Sequence, residues 1–391
     1  MSITAIEIED LRGQMLADRH HLHQNPELAF DEHGTSDFVA ARLTGWGYEV
    51  TRGIGQTGLV ATLRCGSGTR RIGLRADMDA LPIHEQTGLD YASRTAGVMH
   101  ACGHDGHTAM LLGAAQHLAR SRNFSGTLHL IFQPAEEKGF DSGAKAMLAD
   151  GLFERFPCDR VYAIHNHPGA PQGTFLFREG AFLAAGNTVH ITVTGVGGHA
   201  ARPHLAVDPV LAASAIVMAL QSIVARNINP DDAAVVTVGK FVAGHAANVI
   251  PGTAELSLSV RSFDPEVRQR LRERITSLAM LTAESYGARA DINWIEGYPV
   301  VYNNPGELRF AEQVARELVG DGHVVSPTPR LMGSEDFAYM LQQCPGALIR
   351  LGNGPADNGR SLHNAGYDFN DDNLVVGAAF WTRLVERYLK D

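Results

Sequence analysis

Hydrophobic positions along the chain recur with two periods, and the periods alternate. Residues 5–24 and 35–45 carry helical spacing; the first helix has acids early and Arg19, His20, His21 and His23 late, and the second ends at Gly45 and Gly47. Those histidines are nearly consecutive, so they point in different directions around a helix and read as surface residues. Apolar runs at 49–53, 58–64 and 71–75 read as strands. The pattern then gives a helix over 108–120, a strand over 127–132 and a strand over 161–164. Strands alternating with helices predict an α/β fold built on a mostly parallel sheet with helices on both faces.

From residue 184 the rhythm changes. Strand spacing at 189–194, helix spacing at 208–226, strands at 234–241 and 253–263, a helix at 265–286 and a strand at 289–295 give the order βαββαβ. That order predicts an inserted α+β (ferredoxin-like) domain: one sheet covered on one face by two helices and open to pairing with another subunit. The first pattern then returns, with a helix at 307–318, a helix opened by Ser334 as N-cap, a strand at 347–351 and a helix at 370–389. The expected division is a catalytic domain from 1–183 and 299–391, with an inserted lid or dimerisation domain at 184–298.

A chain of 391 residues exceeds what one hydrophobic core usually serves, in keeping with two domains. With 45% hydrophobic and 19% charged residues it reads as a globular enzyme. A formal charge of −10 argues against nucleic acid as partner. No secretory signal is read at the N-terminus, and the most apolar stretch, Val210–Leu220, is about half the length a bilayer demands. Four scattered cysteines, Cys65, Cys102, Cys158 and Cys344, fit free thiols in a reducing compartment, and the cytoplasm is the expected location.

The chemistry concentrates in HACGHDGH, residues 100–107. Thiolate, imidazole and carboxylate groups this dense call for a metal ion. Three predicted strand ends deliver further donors: Asp77 and Asp79 after the first, Glu136-Glu137 after the second, His165 after the third; His363 follows a later loop. Asp77 reads best as a residue orienting a ligand histidine, and Asp79 as a turn residue. The candidate ligands are Cys102, His104, Glu137, His165 and His363. Five donors are too many for one tetrahedral zinc and suit two divalent ions. Of two adjacent acids, one binds metal while the other is free to take a proton from a bridging water. Two such ions against Cys102, Glu136, Glu137 and a hydroxide leave the centre close to neutral.

The stretches LRADMDALPI, HACGHDGHTAMLLGAA, QPAEE, HNHPG, GGHAARPH, NVIP, GSEDFAYM and LHNAGYDFND together resemble the hippurate hydrolase and auxin-conjugate amidohydrolase family, a branch of the dinuclear aminoacylase-like metallopeptidases. The resemblance covers nearly the whole chain. It implies metal binding by Cys102, His104, Glu137, His165 and His363 with Cys102 bridging, Glu136 as general base and acid, and Asp77 orienting the metal centre. It further implies that His199 donates to the substrate from a neighbouring subunit and that Asn248 and Arg261 grip the substrate carboxylate; without it, Arg261 would read as a structural strand residue. Ala200 and Asn187-Thr188 depart from the family pattern and bear on substrate choice.

The implied activity is hydrolysis of N-acyl or N-aroyl amino acids with two divalent ions, manganese or zinc, with cobalt and nickel also open, in a homodimer or homotetramer, with neither nucleic acid nor membrane as partner. A deacetylase of N-acetyldiaminopimelate or of N-acyl-cysteine is the alternative within the same chemistry, and an inactive metal-binding scaffold is the alternative outside it. A zinc nucleobase deaminase lacks its H-x-E and P-C-x-x-C pattern here, and a serine hydrolase lacks its G-x-S-x-G elbow.

Overall fold

The computed structural model describes residues 8–357 and 359–390. The chain first lays down α1 (Arg12–Gln24), α2 (His33–Gly45), β1 (Glu49–Arg52), β2 (Leu59–Cys65), β3 (Arg71–Asp77), α3 (His104–Ser121), β4 (Gly126–Gln133), α4 (Gly143–Ala149), β5 (Arg160–His167) and β6 (Phe175–Leu176). It continues through β7 (Ala185–Thr194), α5 (Pro209–Asn227), β8 (Ala234–Ala243), β9 (Thr253–Ser262), α6 (Pro265–Ser285) and β10 (Arg289–Glu296). It returns with α7 (Pro305–Val319), β11 (Val324–Val325), α8 (Phe337–Gln343), β12 (Gly346–Gly352) and α9 (Asn373–Tyr388). Two units result: one takes the chain up to Gly180, Tyr302–Pro329 and everything from Asp336, the other Ala181–Val301 and Arg330–Glu335.

In the first unit an eight-stranded sheet runs β1-β2-β4-β3-β5-β12-β6-β11. Its centre, β4-β3-β5-β12, is parallel, while β2 joins β4 antiparallel and β6 joins β12 antiparallel. Central strands covered on both faces must be apolar almost throughout, and every residue of β12 (GALIRLG) is buried. Helix α3 is buried along its whole first part, His104–Gln116, and packs against α1 and α9. Its N-terminus, which bears the candidate ligand His104, is therefore set into the core.

The second unit is an antiparallel sheet in the order β8-β9-β7-β10. Val189, Ile191 and Val193 of β7 and Leu256, Leu258 and Val260 of β9 turn to one face, where Ile216 and Leu220 of α5 and Leu271 and Ile275 of α6 cover them. Each helix starts where the sequence dictates: Asp208 and Asp264 accept amides of the first turn, and Pro209 and Pro265 follow them.

Four expectations change. Helix α3 begins at His104 and not at 108, so half of HACGHDGH is helical. Ser334 caps no helix; α8 begins at Phe337, and the Ser334 hydroxyl instead accepts from Arg261 at 2.9 Å. His23 is fully buried, because the carboxylates of Asp105 (2.8 Å) and Glu85 (3.4 Å) receive it, while His21 stays exposed. Helix α5 runs 19 residues with a mean hydropathy of 1.6, long and apolar enough to cross a membrane by length and composition. Its Ala212, Ala213, Ile216, Leu220 and Ile223 nonetheless serve the core of the second unit. The opening helix is seen from Arg12; residues 5–7 of its expected span lie outside the described residues.

Candidate metal centre

Strand ends and one helix start bring the donors together in the first unit. Gly103 precedes α3 with φ of 91°, and a Cβ there would meet Asn166 Nδ2 at 2.4 Å and the Tyr367 hydroxyl at 2.5 Å. Only glycine fits, and it sets Cys102 and His104 on either side of the turn. After β4 the chain turns through Ala135 (φ 51°) into a short 3-10 turn bearing Glu136 and Glu137. Two carboxylates pin that turn: Glu32 accepts the Ala135 amide at 2.8 Å, and Asp79 accepts the Glu137 amide at 2.8 Å. Strand β5 carries His165 near its end. His363 has a left-handed backbone (φ 61°) and donates its amide to the Ala101 carbonyl at 2.8 Å.

All five expected ligands and Glu136 converge. Cys102, His104 and His165 offer donor atoms within 4.8 Å of one another, as do Cys102, Glu137 and His363, and again His104, Glu136 and Glu137. Cys102 Sγ lies 3.4 Å from His165 Nε2, His363 Nε2 3.1 Å from Glu137 Oε1, and Glu136 Oε2 4.0 Å from His104 Nε2. Cys102, His104, His165 and Glu136 are buried, while His363 is exposed. Two triads thus share one sulfur.

Asp79 does more than make a turn: His104 Nδ1 lies 2.9 Å from its carbonyl and 3.2 Å from its carboxylate. That contact fixes the tautomer and aims Nε2 at the cluster, the usual backing of a metal-bound histidine. Asp77 instead holds His107 Nδ1 at 2.6 Å and lies 3.7 Å from His104 Nε2. His107, which sequence reading passed over, accepts the Asn166 amide at its Nε2 (3.0 Å), so it braces β5 and has no nitrogen left for a metal. Arg75, fully buried, joins Asp77 (2.6 Å), Gln133 (2.8 Å) and Asp336 (3.1 Å). Arg350 lies 2.8 Å from His165 Nδ1. Arg75 and Gln133 were signalled by their place just before Asp77 and Glu136 along the chain, while nothing in the sequence marked Arg350.

The electrostatics call for positive charge. Contacts with Cys102 and Glu137 push His363 up to about 10. Burial opposes charge on His104, yet Asp77, Cys102 and Asp79 outweigh it and hold its imidazole well above the ordinary range. Burial drives the Cys102 thiol up, with Glu137 adding to it. The anions that retain protons on these imidazoles would equally retain cations in their place. His104 Nε2, wholly buried, makes no hydrogen bond among the described residues, as a nitrogen meant for a metal should. The residues fit a pair of divalent ions.

The remaining expected residues lie in the second unit. His199 pairs with Val249 in a two-stranded ribbon, and the Ala200 amide donates to the Asn248 carbonyl at 3.1 Å, so His199 and Asn248 are neighbours. Arg261 lies half-buried on β9, where burial lowers its guanidinium somewhat. Asn187 accepts from Arg268 at 3.0 Å.

The comparisons with known proteins agree over nearly the full length. The chain is 46% identical over 384 residues to hippurate hydrolase of Campylobacter jejuni, covering 98% of this chain and 99% of that one. It is 36% identical to N-acetyl-L-cysteine deacetylase of Bacillus subtilis, covering 98% and 90%. Among solved structures, a dinuclear metal-binding peptidase of family M20 from Bacillus subtilis superposes with a TM-score of 0.83 at 32% identity, covering 97% and 99%. The model of peptidase family M20/M25/M40 matches residues 73–387, from the strand before Asp77 to the last helix, and the chain whose donors meet around Cys102 belongs to that family.

Proposed function

We propose that this chain is a metal-dependent amidohydrolase that cleaves the amide bond of N-acyl and N-aroyl amino acids, hippurate among them. One observation carries the reading: two donor triads share Cys102, and the buried carboxylate of Glu136 stands beside them, 4.0 Å from His104 Nε2. The relative named hippurate hydrolase supports the substrate class. A scaffold without activity would have no use for a base and five donors held together.

Cys102, His104 and His165 would hold one divalent ion, and Cys102, Glu137 and His363 the other. When bound, the ions polarise the scissile carbonyl and bring the attacking water toward neutral acidity. Glu136 takes the water's proton and returns it to the departing amine. Asp79 keeps His104 in the ligating tautomer, and the Arg75–Asp77–His107 chain holds Asn166 and the end of β5 in place. Thiolate and imidazole donors favour zinc; the carboxylate admits manganese, cobalt or nickel.

From the second unit, His199 donates to the substrate of a neighbouring subunit, and Asn248 and Arg261 take its carboxylate. Support for a dimer lies at the sheet edge: β8 is an edge strand with Phe241 and Val242 exposed, and α5 exposes Leu211 and Met218. Four free cysteines support a reducing compartment such as the cytoplasm.

The test is a substrate panel on protein stripped of metal and reloaded with Mn²⁺ or Zn²⁺. Hydrolysis of hippurate above that of N-acetyl-L-cysteine is expected. The reverse order supports the deacetylase reading instead, and no hydrolysis of either refutes both.

A further inference from the structure

The two imidazoles of the Cys102–His104–His165 triad are backed by opposite charges. Behind His104 stands the Asp79 carboxylate, 3.2 Å from Nδ1. Behind His165 stands the Arg350 guanidinium, with NH1 2.8 Å from Nδ1 and 3.2 Å from the Asn166 carbonyl, which also lies 2.7 Å from His165 Nδ1. The placement is built into the sheet: β12 and β5 are parallel neighbours, and Arg350 is the register partner of His165. Arg350 is only 6% exposed, so its charge acts through protein and not through solvent.

A carboxylate behind a ligand histidine raises its basicity, and a cation there lowers it. The geometry points to Arg350 as a tuning residue that makes the Cys102–His104–His165 position the weaker and more exchangeable of the two cation positions. This inference rests on the dinuclear reading of the site. Arg350 repels a divalent ion at His165 Nε2 twice as strongly as a proton. The triad itself contains no carboxylate; Asp77 and Glu136 lie 3.7 and 4.0 Å from His104 Nε2, and Asp77 is paired with Arg75. The other triad contains Glu137, a hard anionic donor that suits Mn²⁺. Occupancy is therefore sequential, with the Glu137–His363 position filling first.

The alternative is a purely structural arginine that ties β12 to the end of β5. It predicts that replacement alters stability and leaves the two affinities in their original ratio.

Metal-free protein is titrated with Mn²⁺ by calorimetry, and crystals loaded with one equivalent are examined by anomalous scattering. Two binding steps separated by about tenfold or more are expected, with the first ion on Cys102, Glu137 and His363. Arg350→Gln keeps a donor for the Asn166 carbonyl but removes the charge, and should tighten the second step about tenfold while leaving the first unchanged. Arg350→Lys keeps the charge and should preserve the gap. Should the Gln variant not fold, the wild-type anomalous map decides alone. Two ions per chain with the His104–His165 position filled first, or a folded Gln variant with an unaltered gap, overturns the role of Arg350 and leaves the hydrolase reading standing. Fewer than two ions per chain overturns both.

Discussion

The carboxylate of Asp79 serves both halves of the donor set at once: one oxygen lies 3.2 Å from His104 Nδ1, and the other accepts the Glu137 amide at 2.8 Å. An asparagine in its place would face two N–H groups with only one acceptor oxygen. Asp79→Asn should therefore weaken metal binding about ten- to hundredfold, as loss of such backing groups does. Competition with a coloured chelator measures it; unaltered affinity would show that His104 is positioned by other means.

Gly103 tests the close approach on which the ligand loop depends. Gly103→Ala adds a Cβ 2.4 Å from Asn166 Nδ2 in a left-handed conformation. The strain and the overlap together should cost roughly 3 kcal/mol of stability. Denaturant midpoints measure the loss, and a variant as stable as wild type would mean the loop relaxes freely.

Glu32 gives the account a pH signature. Burial, and then Asp79, push its carboxyl from 4.5 up to about 7, while it holds the Ala135 amide and the Thr57 hydroxyl (2.5 Å). Between those two values the folded chain keeps a proton that the unfolded chain has lost. Stability from this group is therefore greatest below about 4.5, falls as pH rises toward 7, and is flat above. Glu32→Gln removes the dependence at nearly the same shape. In metal-free protein its melting temperature should gain on wild type between pH 5 and 8, by the equivalent of about 2–3 kcal/mol. A constant difference across that range would contradict the assignment.

If His199 acts in a neighbouring subunit, two inactive variants should complement each other. His199→Ala mixed with Glu136→Gln, after proven exchange of subunits, should regain about a quarter of wild-type turnover, since random pairing leaves one intact site in half of the dimers. No recovery would place His199 in its own subunit's site or outside catalysis.

Much of this site was legible because ligand chemistry demands particular residue types at strand ends and helix starts. Cys102, His104, Glu137 and His165 are of this kind, while His363 lies in the loop between β12 and α9; the alternations that separate the βαββαβ insertion from the parallel sheet were legible too. What stayed hidden depends on which side chains meet across distant segments. Asp77 and Asp79 are two residues apart, and only the turn after β3 decides which of them reaches His104 Nδ1. His23 looked like a surface histidine because its partners, Asp105 and Glu85, are 82 and 62 residues away. Arg350 lies in an apolar run, and only the pairing of β12 with β5 sets it behind His165. Ser334 has the form of a helix cap, but Asp336 two residues later is drawn to Arg75 and Gln133, and the helix starts after it.

The central claim is that Glu136 moves protons while its neighbours hold two divalent ions. Glu136→Gln keeps the shape of the side chain and removes the base. Elemental analysis beside a hippurate assay should find two ions per chain, as in wild type, with turnover lowered at least about a hundredfold. Undiminished turnover in that variant, or turnover lost only because the metal is gone, would contradict the account.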